Sequence, residues 1–288
     1  MPKIARDAID FVPQTEHQPA GAVSRAAIPP EPQKQPARAN NDTSAANKPT
    51  EGVIPAYDTL PNAANGAALI FVFDDAGQNL SHLARFLALP FPITVAVLPR
   101  LLYSAEAADR IRAAGKEVIL HQPMQALNRA VDPGPGAIFP GMNPEEIKTI
   151  TQKNIAEIAP IAGMNNHEGS LITESREAME TVLDLCRANG IYFLDSRTTA
   201  ATAVPAVART RGIKVWSRDV FLDNTPSKTD MLKELARGLG IANKAGSVIM
   251  IGHVWSPALA DLLHDLYPVL TRKGYTFTTI SAFSRGGN

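Results

Sequence analysis

Ala67-Ala68-Leu69-Ile70-Phe71-Val72-Phe73, followed at once by Asp74-Asp75, is the stretch on which the fold turns. An unbroken apolar run of this length reads as a strand buried on both faces, as in a parallel sheet. Acids at its exit matter because ligands of parallel α/β folds gather where the strands end.

The same texture repeats downstream. A helical pattern over 80–89 leads to a second strand at 93–98, and a helix over 105–114 stops at Gly115, a common left-handed C-terminal position. Glu117-Val118-Ile119-Leu120 is predicted as the third strand, and the Pro- and Gly-rich segment 122–142 as a long loop. Asn143-Pro144-Glu145-Glu146 then opens a helix to about 159, with Asn as N-cap, Pro at N1 and acids in the first turn. Further strands are predicted at 161–164, 191–194, 213–216, 247–251 and 275–278. Between them lie helices at 174–189, 203–211 and 229–243, and one from Ser256-Pro257 to 272. Alternation of this kind requires parallel strands with helical crossovers. About seven or eight such units suggest a (β/α) barrel, with an open doubly wound sheet as the alternative. Neither a G-x-G-x-x-G after the first strand nor a Walker sequence is present, which removes the usual nucleotide readings.

Residues 1–66 differ from the rest, holding ten of the 23 prolines with Ala, Gln, Asn and Thr between them. Such a segment buries too little apolar surface to offset its ordering entropy, so it is predicted to be a disordered, polyproline-like tether to a folded domain at 67–288. His17 lies within it and is given no role. Lys+Arg and Asp+Glu both number 28 and no basic cluster occurs, which argues against a nucleic-acid partner. No apolar run reaches the roughly 20 residues of a membrane span, and the N-terminus shows no apolar signal core. The single cysteine, Cys186, reads as a buried helical thiol.

The chemistry lies at the strand exits. Asp74 and Asp75 follow the first strand, His121 the third, Asn165-Asn166-His167 the fourth and Asp195-Ser196 the fifth. Arg218, Asp219 and Asp223 follow the sixth, and His253 the seventh, with Trp255 beside it. Each motif alone has a structural reading. Paired acids cap helices, a lone His is more often hydrogen-bonded than ligating, Arg218 can pair with Asp223, and Trp255 can pack in the core. Together they present imidazoles and carboxylates on one face. Neutral imidazoles with one carboxylate suit a divalent metal, zinc above all, with a position left for water. Asp75, His121 and His167 are then the ligands, Asp74 the base that takes a proton from water, and His253 the acid that serves the leaving group. Asn165, Asn166, Arg218, Asp223 and Trp255 remain as supporting or substrate-binding residues, Trp255 with a face on which a sugar can stack.

Phe73-Asp74-Asp75, His121-Gln122-Pro123-Met124, Asn165-Asn166-His167-Glu168-Gly169-Ser170, Leu194-Asp195-Ser196, Arg218-Asp219-Val220-Phe221-Leu222-Asp223 and Ile251-Gly252-His253 together resemble the divergent polysaccharide deacetylase family, relatives of the NodB-type carbohydrate esterases. The resemblance covers about 67–282. It implies a distorted, NodB-like (β/α) barrel of about seven strands, with Asp74 as base, Asp75 and His121 as ligands, His253 as acid and Asp195 as the group that tunes that acid. The second His of the family's His-x-x-x-His motif would stand at 125, where this chain has Gln125, so the third ligand is assigned to His167. The implied activity is metal-dependent removal of acetyl groups from N-acetylated sugars of an envelope polysaccharide or a peptidoglycan-like polymer, with a periplasmic or envelope location. The alternative is a catalytically inactive module that keeps the pocket to bind a glycan or a protein.

Overall fold

The computed structural model describes residues 57–286. The part of the predicted tether up to residue 56, His17 included, lies outside the described residues. Residues 57–66 are packed on the domain rather than forming part of a tether. Tyr57–Thr59 forms a 3₁₀ turn, Leu60 is buried, and the Ala63 N–H donates to Lys273 O at 2.8 Å. The Asn243 side chain accepts from Ala64 N–H and donates to Asn62 O, each at 2.9 Å. Backbone hydrogen bonds hold this Pro- and Asn-rich stretch, which hydropathy does not reveal.

The chain then alternates: β1 (Ala68–Ala76), α1 (Leu80–Leu87), β2 (Thr94–Val97), α2 (Ser104–Ala113), β3 (Glu117–Met124), α3 (Pro144–Ile158), β4 (Gly163–Glu168), α4 (Arg176–Ala188) and β5 (Tyr192–Asp195). It continues through α5 (Val204–Arg211), β6 (Val215–Ser217), β7 (Val220–Phe221), α6 (Lys228–Ala245), β8 (Ser247–His253), α7 (Pro257–Arg272), β9 (Thr276–Thr278) and α8 (Ile280–Gly286). Asn143 is the N-cap as predicted and also forms a capping box with Glu146, and Gly115 and Gly190 take left-handed backbone (φ 68 and 67) just past α2 and α4. Ser256 stands at the N-cap of α7, but its side chain makes no capping hydrogen bond. Two strands run further than apolarity indicates: β3 continues through His121–Met124, and β4 contains Asn165–Glu168, all predicted to follow the strands. Polar residues sit on these strands because the pocket they face is polar.

All pairings are parallel, in the order β6-β5-β4-β3-β2-β1-β8-β7, with β9 also beside β1. β6 and β7 stand at opposite ends of this path yet are separated only by Arg218-Asp219. Arg218 N–H donates to Asp195 O of β5 and Asp219 N–H to Ile249 O of β8. One extended segment therefore crosses from one edge of the curled sheet to the other, which gives the distorted, NodB-like barrel.

Strand alternation divides the core. Leu69, Phe71 and Phe73 of β1, with Leu120, Met164, Phe193 and Met250, face the helices. Ile70 and Val72 of β1, with Ala96, Ile119, Leu194, Ile249 and Ile251, fill the barrel. α8 was not predicted. Its Ile280 enters the barrel core, and its Ser281 hydroxyl joins those of Thr94 (2.9 Å) and Tyr192 (2.7 Å) on the carboxylate of Glu117, the first residue of β3. This plug closes the end of the barrel opposite the strand exits.

Candidate metal centre

Alternation also aims the site. Asp74 continues the inward series Ile70, Val72; His121 follows Ile119; Asn165 and His167 oppose Met164 on β4; and His253 follows Ile249 and Ile251. In register, Asp74 pairs with His253, His121 with Asn165, and Pro123 with His167. Asp75 has the parity of Phe73 and should face outward. It does not, because its backbone is left-handed (φ 66) and the β1–β2 register shifts between Phe73 and Ala76. Left-handed backbone at a non-glycine residue and a bulge re-aim one side chain, a device found at functional sites. Glu168 (φ 52) and Arg197 (φ 51) are also left-handed at the exits of β4 and β5.

Asp75 Oδ1 is 3.3 Å from His121 Nε2 and 3.1 Å from His167 Nδ1, and the two ring nitrogens are 3.0 Å apart. These are the edges expected for a tetrahedral ion with ligand bonds of about 2.0–2.1 Å. Asp75 Oδ1 is buried and receives no hydrogen bond. An orphaned carboxylate oxygen facing two imidazole nitrogens fits a divalent cation, and the N,N,O donor set suits zinc. Burial disfavours the Asp75 charge, but the imidazoles of His121 and His167 outweigh it and hold the carboxyl well below the usual range. Burial likewise opposes protonation of His121, yet Asp74 and Asp75 push it up to about 9. Without an ion, a protonated His121 supplies positive charge beside these acids.

Hydrogen bonding fixes the tautomer of His121. Asn165 Nδ2 donates to Asp74 Oδ1 at 2.9 Å, which turns Asn165 Oδ1 toward His121 Nδ1 at 2.7 Å. In the neutral ring Nδ1 therefore carries the proton, and the Nε2 lone pair then points toward Asp75 and His167. Asn165 thus links the proposed base to a proposed ligand. Asp74 is almost fully buried, and desolvation raises its pKa against the pull of His121 and His253.

His253 Nδ1 lies 2.8 Å from Asp223 Oδ1, while Asp223 Oδ2 accepts the His253 backbone N–H at 2.9 Å. Burial opposes the imidazolium, but Asp223 prevails and raises the His253 pKa. The ring is stacked between Phe221 (centroids 5.8 Å) and Trp255 (4.9 Å). Trp255 is 49% exposed, not core, and its indole N–H donates to Asp75 Oδ2 at 3.0 Å. The tuning role implied for Asp195 falls instead to Asp223. Asp195 has the outward parity of Phe193, and its Oδ1 accepts from Arg197 N–H at 2.8 Å. Arg218 does not pair with Asp223: it donates to the carbonyls of Ser196 (2.7 Å) and Arg197 (3.0 Å). Asn166 Oδ1 accepts from Ser196 N–H at 2.9 Å, tying the β4 and β5 exits together. Gln125 is no ligand; its amide donates to the carbonyls of Val131 (3.1 Å) and Ala126, anchoring the loop after β3. The cleft over these groups is about 290 Å³ and is also lined by Glu168, Phe221 and Asn224, none of them singled out in the sequence.

A family profile described as divergent polysaccharide deacetylase matches residues 71–284. The chain belongs to the divergent polysaccharide deacetylase family. Within it, the chain is 33% identical over 207 residues to the uncharacterized protein YibQ of Escherichia coli K12, covering 70% of this chain and 64% of that protein. An uncharacterized Haemophilus influenzae protein is 32% identical over 187 residues, covering 64% of this chain and 66% of its own. The chain thus spans less than two thirds of these curated relatives. Among solved structures, an uncharacterized protein of Agrobacterium tumefaciens C58 superposes with a TM-score of 0.72 at 18% identity, over 79% of this chain and 94% of that one. A mutant of a CE4-family pseudoenzyme from Bacillus anthracis, described as having restored enzymatic activity, gives 0.50 at 16% identity, over 76% and 67%. These likenesses establish a fold shared between the divergent family and the NodB-type esterases.

Proposed function

We propose that this divergent polysaccharide deacetylase is a working metal-dependent hydrolase that removes acetyl groups from N-acetylated sugars of an envelope polysaccharide. The observation that carries the reading is the Asp75–His121–His167 triangle with its orphaned carboxylate oxygen. Asp75, His121 and His167 would hold the ion, with zinc the metal that best suits the donor set. A bound divalent ion supplies Lewis acidity toward the acyl oxygen and acidifies water in the cleft.

The remaining work belongs to the chain. Asp74, raised by burial and fixed by Asn165, accepts the proton of the attacking water. His253, kept protonated by Asp223, delivers a proton to the departing amine, and Phe221 and Trp255 hold its ring plane. Both proton-transfer groups accompany the candidate ligands, so the enzyme reading is preferred to that of an inactive binding module.

The test combines metal analysis with acetate release from N-acetylated oligosaccharides. The native chain should carry one metal equivalent, lost in His121→Ala. Asp74→Asn should keep the metal and lose turnover by at least about 100-fold. Full activity in Asp74→Asn, or no metal under any loading condition, would remove the basis for this reading.

A further inference from the structure

A second cavity of about 380 Å³ adjoins the catalytic cleft, and Phe221 and Asn224 line both. One wall is a single face of α6: Asp230, Lys233, Glu234 and Arg237 fall at i, i+3, i+4 and i+7. Arg218 forms part of the opposite side, with its guanidinium 3.8 Å from the centre of the Phe221 ring.

The charges in this cavity are unevenly satisfied. Both acids have partners within the chain: Glu234 is paired with Arg237 at 2.7 Å, and Asp230 accepts from the Ser227 hydroxyl at 2.6 Å. Lys233 has none: among the described residues it makes no hydrogen bond or ion pair. Arg218 donates to the carbonyls of Ser196 and Arg197 and lies against the Phe221 ring. Burial, with the like charge of Arg237 and Arg197, lowers its pKa against the attraction of Asp195 and Asp219. An anion seated here would relieve that repulsion and give Lys233 a partner.

We propose that this cavity is a subsite for an acidic sugar next to the acylated one, in which Lys233 and Arg218 recognise a carboxylate. The substrate is then an alternating polymer of N-acetylated and acidic sugars rather than a neutral one. This rests on the deacetylase reading for the placement of the acylated sugar, but the recognition is a binding property and is separable from turnover. The carboxylate can belong to the ring of a uronic acid or to a lactyl ether of an amino sugar. Phe221, between the two cavities, offers apolar surface to the linkage.

The experiment measures binding by calorimetry in the Asp74→Asn background, so that no ligand is hydrolysed. Three tetrasaccharides are compared: neutral N-acetylglucosamine, N-acetylglucosamine alternating with glucuronate, and N-acetylglucosamine alternating with muramate. At least one acidic ligand should bind about tenfold more tightly than the neutral one, the size of one charge-assisted contact. The one preferred identifies the source of the carboxylate. Raising the salt should shrink the preference, and adding Lys233→Glu, an exposed change on α6, should abolish it. Equal affinities for neutral and acidic ligands, no binding of any of them, or a preference that survives Lys233→Glu would each overturn the proposal. Acetate release by the native chain is scored separately, so loss of the deacetylase reading does not masquerade as loss of the subsite.

Discussion

Replacing Asn165 with Leu probes the link between base and metal centre with little change in volume. The native amide makes two buried hydrogen bonds, 2.9 Å to Asp74 Oδ1 and 2.7 Å to His121 Nδ1. Both partners are 2% exposed, so water replaces little of what is lost. Each orphaned group costs about 1–3 kcal/mol, which sums to about 2–6 kcal/mol of folding stability in the metal-free chain. The same change frees the His121 ring to rotate or to switch tautomer, and loss of such a supporting contact weakens metal binding by about 10–100-fold. Urea unfolding of the metal-free variant gives the first quantity and calorimetric titration with zinc the second. A variant within about 0.5 kcal/mol of native stability that binds zinc as tightly as the native chain would refute the relay.

Asp223→Asn should lower the raised pKa of His253, so the alkaline limb of the kcat/KM profile should move to lower pH; an unmoved limb argues that His253 is not the acid. The sign for stability follows: a raised histidine pKa contributes fully below about 6.5 and loses its contribution as pH rises through the folded value, so the Asp223→Asn deficit should be larger at pH 5 than at pH 9 by denaturant titration. Trp255→Phe keeps the stack on His253 but loses the indole donor to Asp75 Oδ2; zinc affinity should fall by roughly tenfold in calorimetry with folding unchanged. Gly163→Ala drives a methyl group into the Tyr192 ring, which Glu117 holds, and should cost about 1–3 kcal/mol in thermal or chemical unfolding.

Much of this was legible in the chain because the strands around the barrel are apolar where they cross the core. Ile93–Leu98 and Ser247–Ile251 declared themselves by composition alone, and the Asp74, His121, His167 and His253 positions followed from strand exits. What composition concealed was polar strand. His121–Met124 and Asn165–Glu168 pair with each other although His121, Asn165 and His167 face a polar cleft. The error over Asp195 has the same root: motif order placed it near His253, whereas counting twos from Phe193 places it outside the barrel. Asp75 is the opposite case, since counting alone would send it outward and only the left-handed backbone turns it in. The short β7 and α8 carry too little periodicity to be seen, and tertiary contacts alone define them.

The plug at the base of the barrel has a consequence for traffic. With Ile280 in the core and the Glu117 carboxylate ringed by hydroxyls beneath it, the interior is a cul-de-sac and not a tunnel. On the proposed reading a polymer would not thread through but would lie across the rim with one residue dipping in, and the released acetate would leave by the same mouth, where Trp255 stands.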